Sequence, residues 1–184
     1  MKQTQKNIDK VQEKLKSLLP ADQAFIATFI DGDGCISAQI VRKKDYVLKF
    51  QIRVTITFFQ KTKRIHILDQ IEELLGCGAR RSKDSDGVSE LTITGVDLVE
   101  PILTLLQPLF RLKSQQAKLV LKICKTLPAV AKARDKLAFY ELCKIVDQVG
   151  ELNDAKTREV TAASVINSVH FADVNFGVSN TPRS

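Results

Sequence analysis

Apolar and polar residues alternate without interruption from Leu48 to Phe58. The apolar positions are Leu48, Phe50, Ile52, Val54, Ile56 and Phe58, and the polar ones between them are Lys49, Gln51, Arg53, Thr55 and Thr57. A period of two places all the apolar side chains on one face of an extended chain and all the polar ones on the other. The pattern therefore predicts a half-buried antiparallel strand.

Segments with a helical or a strand-like hydrophobic pattern lie on both sides of this strand in the sequence. Apolar residues at helical spacing predict a short amphipathic helix around residues 8–18, and residues 21–30 form a mostly apolar helical segment that ends in an Asp-Gly-Asp-Gly sequence. Further strands are predicted at 35–42, 79–83 and 88–94. Helices are predicted at 62–75, with Thr62 as N-cap, and at 96–107, 113–126, 135–149 and 160–171, with Pro108 and Pro128 as interruptions.

This order of elements predicts an α+β fold of the type αββαββα. Four antiparallel strands with one apolar face need helices over that face, and further helices follow at the C-terminal end. We expect a helical extension at residues 1–19, one folded domain at 20–171 and a polar tail at 172–184.

The other face of the predicted sheet carries mixed hydrogen-bonding side chains. They are Ser37, Gln39, Lys49, Gln51, Arg53, Thr55, Thr57, Arg81, Lys83, Glu90 and Thr92. One interpretation is an ordinary solvated face, and the other is a surface that contacts the edges of nucleic-acid bases. A strand of about ten residues spans roughly 33 Å, and one turn of B-DNA spans ~34 Å.

Composition narrows the possible partners. The chain has 184 residues, of which 44% are hydrophobic, so it is long and apolar enough for one compact domain. Its formal net charge of +7 favours a polyanion, either nucleic acid or an anionic membrane surface. No apolar run approaches the ~18 residues of a membrane span. The N-terminal residues lack the features of a secretory or transit segment.

Four cysteines and two histidines limit the metal chemistry that we expect. Cys35, Cys77, Cys124 and Cys143 form no closely spaced pair, and only His66 and His170 could join them. A zinc finger is therefore not expected, and the cysteines are interpreted as reduced, mostly buried thiols in a reducing compartment.

Residues 26–34 read Ile-Ala-Thr-Phe-Ile-Asp-Gly-Asp-Gly and stand at a predicted helix end, just before a strand. A calcium-binding EF-hand loop fits poorly, because Cys35 stands where a third oxygen ligand is needed. The nonapeptide resembles the LAGLIDADG motif, and the resemblance extends over about residues 21–156. It includes Gln60-Lys61-Thr62 with Arg64, Leu106-Gln107-Pro108 with Leu112-Lys113, Gln116-Ala117 with the residues at 119–123, and the residues at 146–148 and 152–158.

This resemblance, to the single-motif homodimeric group encoded in organellar group I introns, implies a function and a set of site residues. It implies a saddle-shaped sheet and a homodimer that makes staggered double-strand breaks in a long pseudo-palindromic DNA target. Mg²⁺ is the implied cofactor, with Mn²⁺ able to substitute. Asp33 and the carbonyl of Gly32 would bind the metal, and Gln60, Arg64 and Lys113 would complete the catalytic pocket.

The same resemblance adds Val41, Lys43 and Tyr46 to the expected DNA contacts and implies a dimer interface at Ala24, Ala27, Thr28 and Asp31. Thr28 replaces the family's usual glycine there, while Asp31 is expected to stabilise the helix end. The implied location is an organelle, the chloroplast before the mitochondrion. Two alternatives remain: an intron RNA maturase and a non-catalytic DNA-binding regulator on the same fold.

Overall fold

The computed structural model describes residues 2–83, 87–153 and 158–171. The predicted tail at 172–184 lies outside the described residues, as do the side chain of Lys83 and part of the turn that follows it. In chain order the elements are α1 (Lys2–Ser17), α2 (Pro20–Asp33), β1 (Gly34–Arg42), β2 (Phe50–Lys61), α3 (His66–Leu75), β3 (Ala79–Lys83), β4 (Val88–Thr94), α4 (Val96–Leu106), α5 (Ser114–Ala133), α6 (Lys136–Leu152) and α7 (Ala162–Ile166). Short 3-10 turns occur at Thr62–Arg64 and Gln107–Leu109.

The four strands form one antiparallel sheet in the order β1-β2-β4-β3. Strand β2 is the longest and lies between β1 and β4. Its apolar residues Phe50, Ile52, Val54, Ile56 and Phe58 are all buried, as their period of two predicts. The predicted α+β class and the four-stranded antiparallel sheet are confirmed.

Helices cover the apolar face of the sheet and form the core with it. Buried side chains come from α2, α3, α4, α5 and α6 as well as from the strands. Each large apolar side chain that is removed from water contributes about 1.5–3 kcal/mol. Within the described residues, no helix is both long and apolar enough to cross a membrane.

Helix α1 packs against α3 and α4 and joins this core through Val11, which is fully buried. Gly76 ends α3 in the left-handed conformation, with φ of 71°, and the side chains of Lys10 and Lys14 lie beside it. Cations near the negative end of a helix dipole are favourable, so α1 also contributes electrostatically to the end of α3.

The structure corrects the predicted ends of several helices. Helix α5 continues through Pro128 to Ala133, because buried residues on both sides of the proline, Cys124 and Val130, keep the helix packed on the core. Thr62 is not a helix cap: its hydroxyl lies 3.1 Å from that of Ser89. The last helix is shorter than expected and covers only Ala162–Ile166.

Strand β2 begins at Phe50, two residues later than predicted. Lys49 has φ of 59°, a conformation that no strand residue adopts, and its amine donates to the carbonyl of Lys44. Lys49 therefore belongs to the β1–β2 hairpin and not to the polar face of the strand.

Candidate functional site

The Asp-Gly-Asp-Gly sequence joins the end of α2 to the start of β1. The amide of Gly34 donates to the carbonyl of Ile30 and closes the helix. A Cβ atom on Gly34 would lie 2.7 Å from the Cα of Ile30, so only glycine fits this junction without a shift of the backbone. Asp33, the last residue of the helix, is exposed.

Asp31 faces the opposite way and anchors the segment before α5. Its carboxylate accepts hydrogen bonds from the backbone amides of Arg111 (2.7 Å), Leu112 (3.3 Å) and Lys113 (3.0 Å). Burial of Asp31 opposes its ionisation, but these amides and the charge of Lys113 outweigh that effect and lower its pKa. The motif thus fixes a segment that lies some eighty residues away in sequence.

The same contact brings Lys113 to the motif. Its amine donates to the backbone carbonyl of Asp31 at 2.5 Å. The positive charge of Lys113 is therefore held at the C-terminal, electronegative end of α2.

Gln60 and Arg64 lie at the end of β2 and in the turn that follows. The side-chain oxygen of Gln60 accepts from the Nε of Arg64 and from the amide of Lys61, both at 2.9 Å. An open depression is lined by Gln60, Arg64, Gly32 and Asp33 together. Of the four expected catalytic residues, three share this depression, while Lys113 reaches the motif from the α5 side.

The register of the sheet places the predicted polar residues on one face. Ser37 pairs with Thr55, Gln39 with Arg53, Val41 with Gln51, Thr57 with Thr92, and Arg81 with Glu90. The hydroxyls of Ser37 and Thr55 lie 2.6 Å apart, and those of Thr57 and Thr92 lie 3.3 Å apart. The face therefore carries an array of donors and acceptors along the four strands, interrupted by apolar residues such as Val41.

Sequence reasoning missed part of this face. Cys35, Phe59, Lys61, Ala79, Val88 and Thr94 occupy the same register positions. Extension of the period-two pattern beyond Phe58 would have found Phe59 and Lys61. Lys43 and Tyr46, like Lys49, lie in the β1–β2 hairpin at the end of the face, where the amide of Lys43 donates to the carbonyl of Lys49.

Comparison with known proteins identifies the family. The family model for the LAGLIDADG endonuclease matches residues 26–127. DNA endonuclease I-CvuI of Chlorella vulgaris is 45% identical over 142 residues, which are 77% of this chain and 86% of that protein. DNA endonuclease I-CreI of Chlamydomonas reinhardtii is 41% identical over 141 residues, 77% of this chain and 84% of that protein. The chain belongs to the LAGLIDADG endonuclease family.

Solved structures of homing endonucleases share the fold. Homing endonuclease I-CvuI in complex with the I-CreI target, with 2 mM Mg and uncleaved DNA, superposes with a TM-score of 0.73 at 43% identity, covering 79% of this chain and 90% of that one. The archaeal intron-encoded homing endonuclease I-Vdi141I, complexed with DNA, has a TM-score of 0.69 at 17% identity, covering 79% of this chain and 92% of that one. At 17% identity, the similarity to I-Vdi141I supports the fold alone.

The LAGLIDADG helix α2 leaves part of its surface uncovered. Ala24 and Thr28 are exposed, and with Phe25 and Phe29 they line a shallow apolar depression. Ala27, however, is 1% exposed and faces the core of its own chain. Asp31 is also buried, through its contacts with the segment before α5. Of the four residues expected at a dimer interface, Ala24 and Thr28 are exposed, whereas Ala27 and Asp31 are buried within this chain.

The end of α2 offers oxygen ligands suited to a hard divalent cation. The last four carbonyls of a helix lack helical partners. Here Ile30 accepts from Gly34 and Asp31 accepts from Lys113, whereas the Gly32 carbonyl has no hydrogen-bond partner among the described residues. That carbonyl and the adjacent Asp33 carboxylate form a donor set of the kind that Mg²⁺ prefers.

The described part of the chain contains no group of three or more His, Cys, Asp or Glu side chains that could hold a metal. The four cysteines are unpaired, and two of them are buried. Burial raises the pKa of Cys77 to about 11 and that of Cys124 to about 12, so both stay protonated near neutral pH. Of the two carboxylates of the motif, that of Asp31 is taken up by backbone amides and that of Asp33 is exposed.

Proposed function

We propose that this protein is a site-specific homing endonuclease that hydrolyses both strands of a DNA duplex as a homodimer. The observation that carries the proposal is the exposed Asp33 at the end of α2, beside Gln60 and Arg64 and continuous with a polar sheet face. Both relatives compared above are named DNA endonucleases, which supports the same chemistry here.

The sheet face is the proposed DNA interface. At about 3.3 Å per residue, the twelve-residue β2 extends roughly 40 Å, enough to follow about one helical turn of B-DNA. Gln39, Gln51 and Arg53 are of the residue types that form paired hydrogen bonds to adenine or guanine. The net charge of +7 supports backbone contacts that position the duplex.

Asp33 and the Gly32 carbonyl would hold the divalent cation, with Mg²⁺ as the proposed cofactor and Mn²⁺ able to replace it. When bound, such an ion supplies Lewis-acid activation of the scissile phosphate and of water. Arg64 offers positive charge to the phosphate, and Gln60 fixes the Arg64 side chain through the bond at 2.9 Å. Lys113 adds a second positive charge from the side of α2.

Dimerisation follows from the count of carboxylates. One chain supplies one Asp33, so two scissile phosphates require two copies of the motif. The exposed α2 surface at Ala24 and Thr28 is the proposed contact between them, and a two-fold dimer implies a pseudo-palindromic target. Staggered breaks in the two strands are proposed from the family resemblance. We further infer an origin in an organellar intron, chloroplast before mitochondrial, which mapping of the coding sequence would test.

The test is cleavage of a plasmid library of randomised palindromes by the wild type and by Asp33→Asn, with Mg²⁺, with Ca²⁺ or with EDTA. Asp22→Asn, the same change in the first turn of α2, is the matched control. We expect Mg²⁺-dependent double-strand cuts at one long sequence, retained in the control and absent in Asp33→Asn.

Cutting that persists in EDTA or in Asp33→Asn would refute the proposal. Binding of intron RNA without any DNA nicking would identify a maturase instead. Sequence-specific DNA binding that never leads to nicking would identify a non-catalytic regulator.

A further inference from the structure

Two large apolar side chains are exposed on the polar face of the sheet. Among the strand residues that the structure describes, Phe59 of β2 is 38% exposed and Val88 of β4 is 37% exposed, whereas the other large apolar side chains of the strands are more buried. The residues that flank Phe59 on the same face of β2 are Thr57 and Lys61, both polar. Phe59 and Val88 therefore interrupt a face that is otherwise suited to hydrogen bonding.

The two side chains are neighbours. Phe59 pairs with Glu90 and Lys61 pairs with Val88, so Phe59 and Val88 stand in diagonal positions on one face of the β2–β4 pair. Diagonal Cβ atoms lie about 7 Å apart, a distance that an aromatic ring can bridge. Both residues line the same depression. We call them the Phe59–Val88 patch.

The patch lies beside the proposed catalytic carboxylate. The register of β1 and β2, extended by one residue beyond the Gly34–Phe58 pair, brings Asp33 opposite Phe59. Asp33 lines the depression together with the patch, and neighbouring strands are about 4.8 Å apart. The exposed cations Lys61 and Arg64 lie at the same depression and suit the phosphates of a duplex.

An apolar surface of this kind distinguishes between base edges. In the major groove, thymine presents a methyl group, whereas cytosine presents an amino donor and the purines present acceptors. Phe59 and Val88 have side chains that neither donate nor accept, so a polar edge pressed against them would lose its water without gaining a partner. A methyl group in the same place gains from the burial of apolar area.

We propose that the Phe59–Val88 patch is a specificity site that contacts the 5-methyl group of a thymine next to the cleaved phosphodiester bond. This assignment rests on the proposed DNA-cleaving function and adds two apolar residues to its hydrogen-bonding face. The spacing between strands, about 4.8 Å, and the rise of about 3.4 Å per base pair put that thymine within about two base pairs of the bond held at Asp33.

Selection of DNA by binding is the first test. The full chain is incubated with a library of randomised palindromic duplexes in Ca²⁺, and the bound duplexes are sequenced. The variants are Phe59→Ser, the conservative Phe59→Leu and the matched control Leu137→Ser, which changes an exposed apolar residue of α6. We expect thymine at one position of each half-site for the wild type, for Phe59→Leu and for Leu137→Ser. Phe59→Ser should lose that preference alone.

The second test removes only the methyl group. The thymine at that position of the selected duplex is replaced by deoxyuridine, and binding of both duplexes is measured in Ca²⁺. The wild type should bind the deoxyuridine duplex about fourfold more weakly, as exposure of one buried methyl group implies. Phe59→Ser should bind the two duplexes equally. The comparison within the wild type needs no variant, so it does not depend on how well a variant folds.

Three results would overturn the assignment. They are a selected target without such a thymine, equal binding of the two duplexes by the wild type, and the same loss with deoxyuridine in Phe59→Ser as in the wild type. A preference for a flexible pyrimidine–purine step that is indifferent to the methyl group would also overturn it, because the ring would then respond to DNA deformation. Failure to bind any duplex would refute the proposed function itself, which distinguishes the two.

Discussion

Replacement of Asp31 by Asn changes one atom in the contact that joins α2 to the segment before α5. In the wild type, Oδ2 accepts from the amides of Arg111 and Leu112, and Oδ1 accepts from that of Lys113. An asparagine keeps the shape and one acceptor oxygen. Its NH₂ group, however, would face a backbone amide, so at least one partly buried donor loses its acceptor and the others lose a charged partner.

The expected cost follows from these three bonds. A hydrogen bond to a charged group contributes about 1.5–3 kcal/mol, and an unsatisfied buried donor costs about 1–3 kcal/mol. Asp31→Asn retains two weakened bonds, so we expect the free energy of unfolding to fall by about 2–4 kcal/mol. With a urea slope of about 2 kcal/mol/M, the unfolding midpoint should fall by roughly 1–2 M.

The pH dependence gives an independent check. The pKa of Asp31 in the folded state is lowered, below the value of about 3.9 in the unfolded chain. The charged carboxylate therefore contributes its full stabilisation above that pH, and the contribution is lost as pH falls through the folded pKa. The difference between wild type and Asp31→Asn should be largest near pH 7 and should shrink progressively below about pH 4.

Asp33→Asn is the matched control, because the same change two residues later affects an exposed side chain. Its free energy of unfolding should stay within about 0.5 kcal/mol of wild type. The reasoning is refuted if the urea midpoint of Asp31→Asn equals that of Asp33→Asn, or if its deficit is undiminished at pH 3.

Three further predictions concern the junction, the pocket and the sheet face. Gly34→Ala should lower the free energy of unfolding in urea by about 1–3 kcal/mol, because the new Cβ would lie 2.7 Å from the Cα of Ile30. Gly32→Ala should be neutral or slightly stabilising, because no atom lies within 4 Å of its Cβ. A larger loss of stability in Gly32→Ala than in Gly34→Ala would contradict this reasoning. Arg64→Gln should slow single-turnover cleavage by about 10²-fold or more, while DNA affinity changes far less. A variant that loses affinity but keeps its cleavage rate would show that Arg64 has no catalytic role. Arg53→Gln should relax the sequence preference at one base pair, at a cost of about 1–3 kcal/mol. A salt slope reduced by about one, with the sequence preference unchanged, would show that Arg53 contacts a phosphate and would contradict its assignment to a base.

The strands and the motif could be predicted because their signals are local. The alternation in β2 depends on which face of one strand is buried, and the motif occupies nine consecutive residues. The prediction went wrong where distant packing decides the outcome. Nothing near Pro128 indicates that α5 continues to Ala133, since the helix is held by the core on which Cys124 and Val130 pack. Lys49 was misplaced because the alternation extends into a hairpin whose turn requires a positive φ there.

The two acids of the motif show why a site cannot be read from spacing alone. Successive helical residues are rotated by about 100°, so Asp31 and Asp33 are about 200° apart and point to opposite sides of α2. Which of them faces inward depends on the segment that ends at Lys113, whose amides bind Asp31. The Asp31 carboxylate accepts from the backbone amides of that segment, and the Asp31 carbonyl accepts from the Lys113 amine. The carbonyl of Gly32 and the carboxylate of Asp33 therefore remain available for a ligand from outside the chain. The structural role and the proposed metal-binding role are thus divided between two identical side chains by a contact that no local sequence pattern encodes.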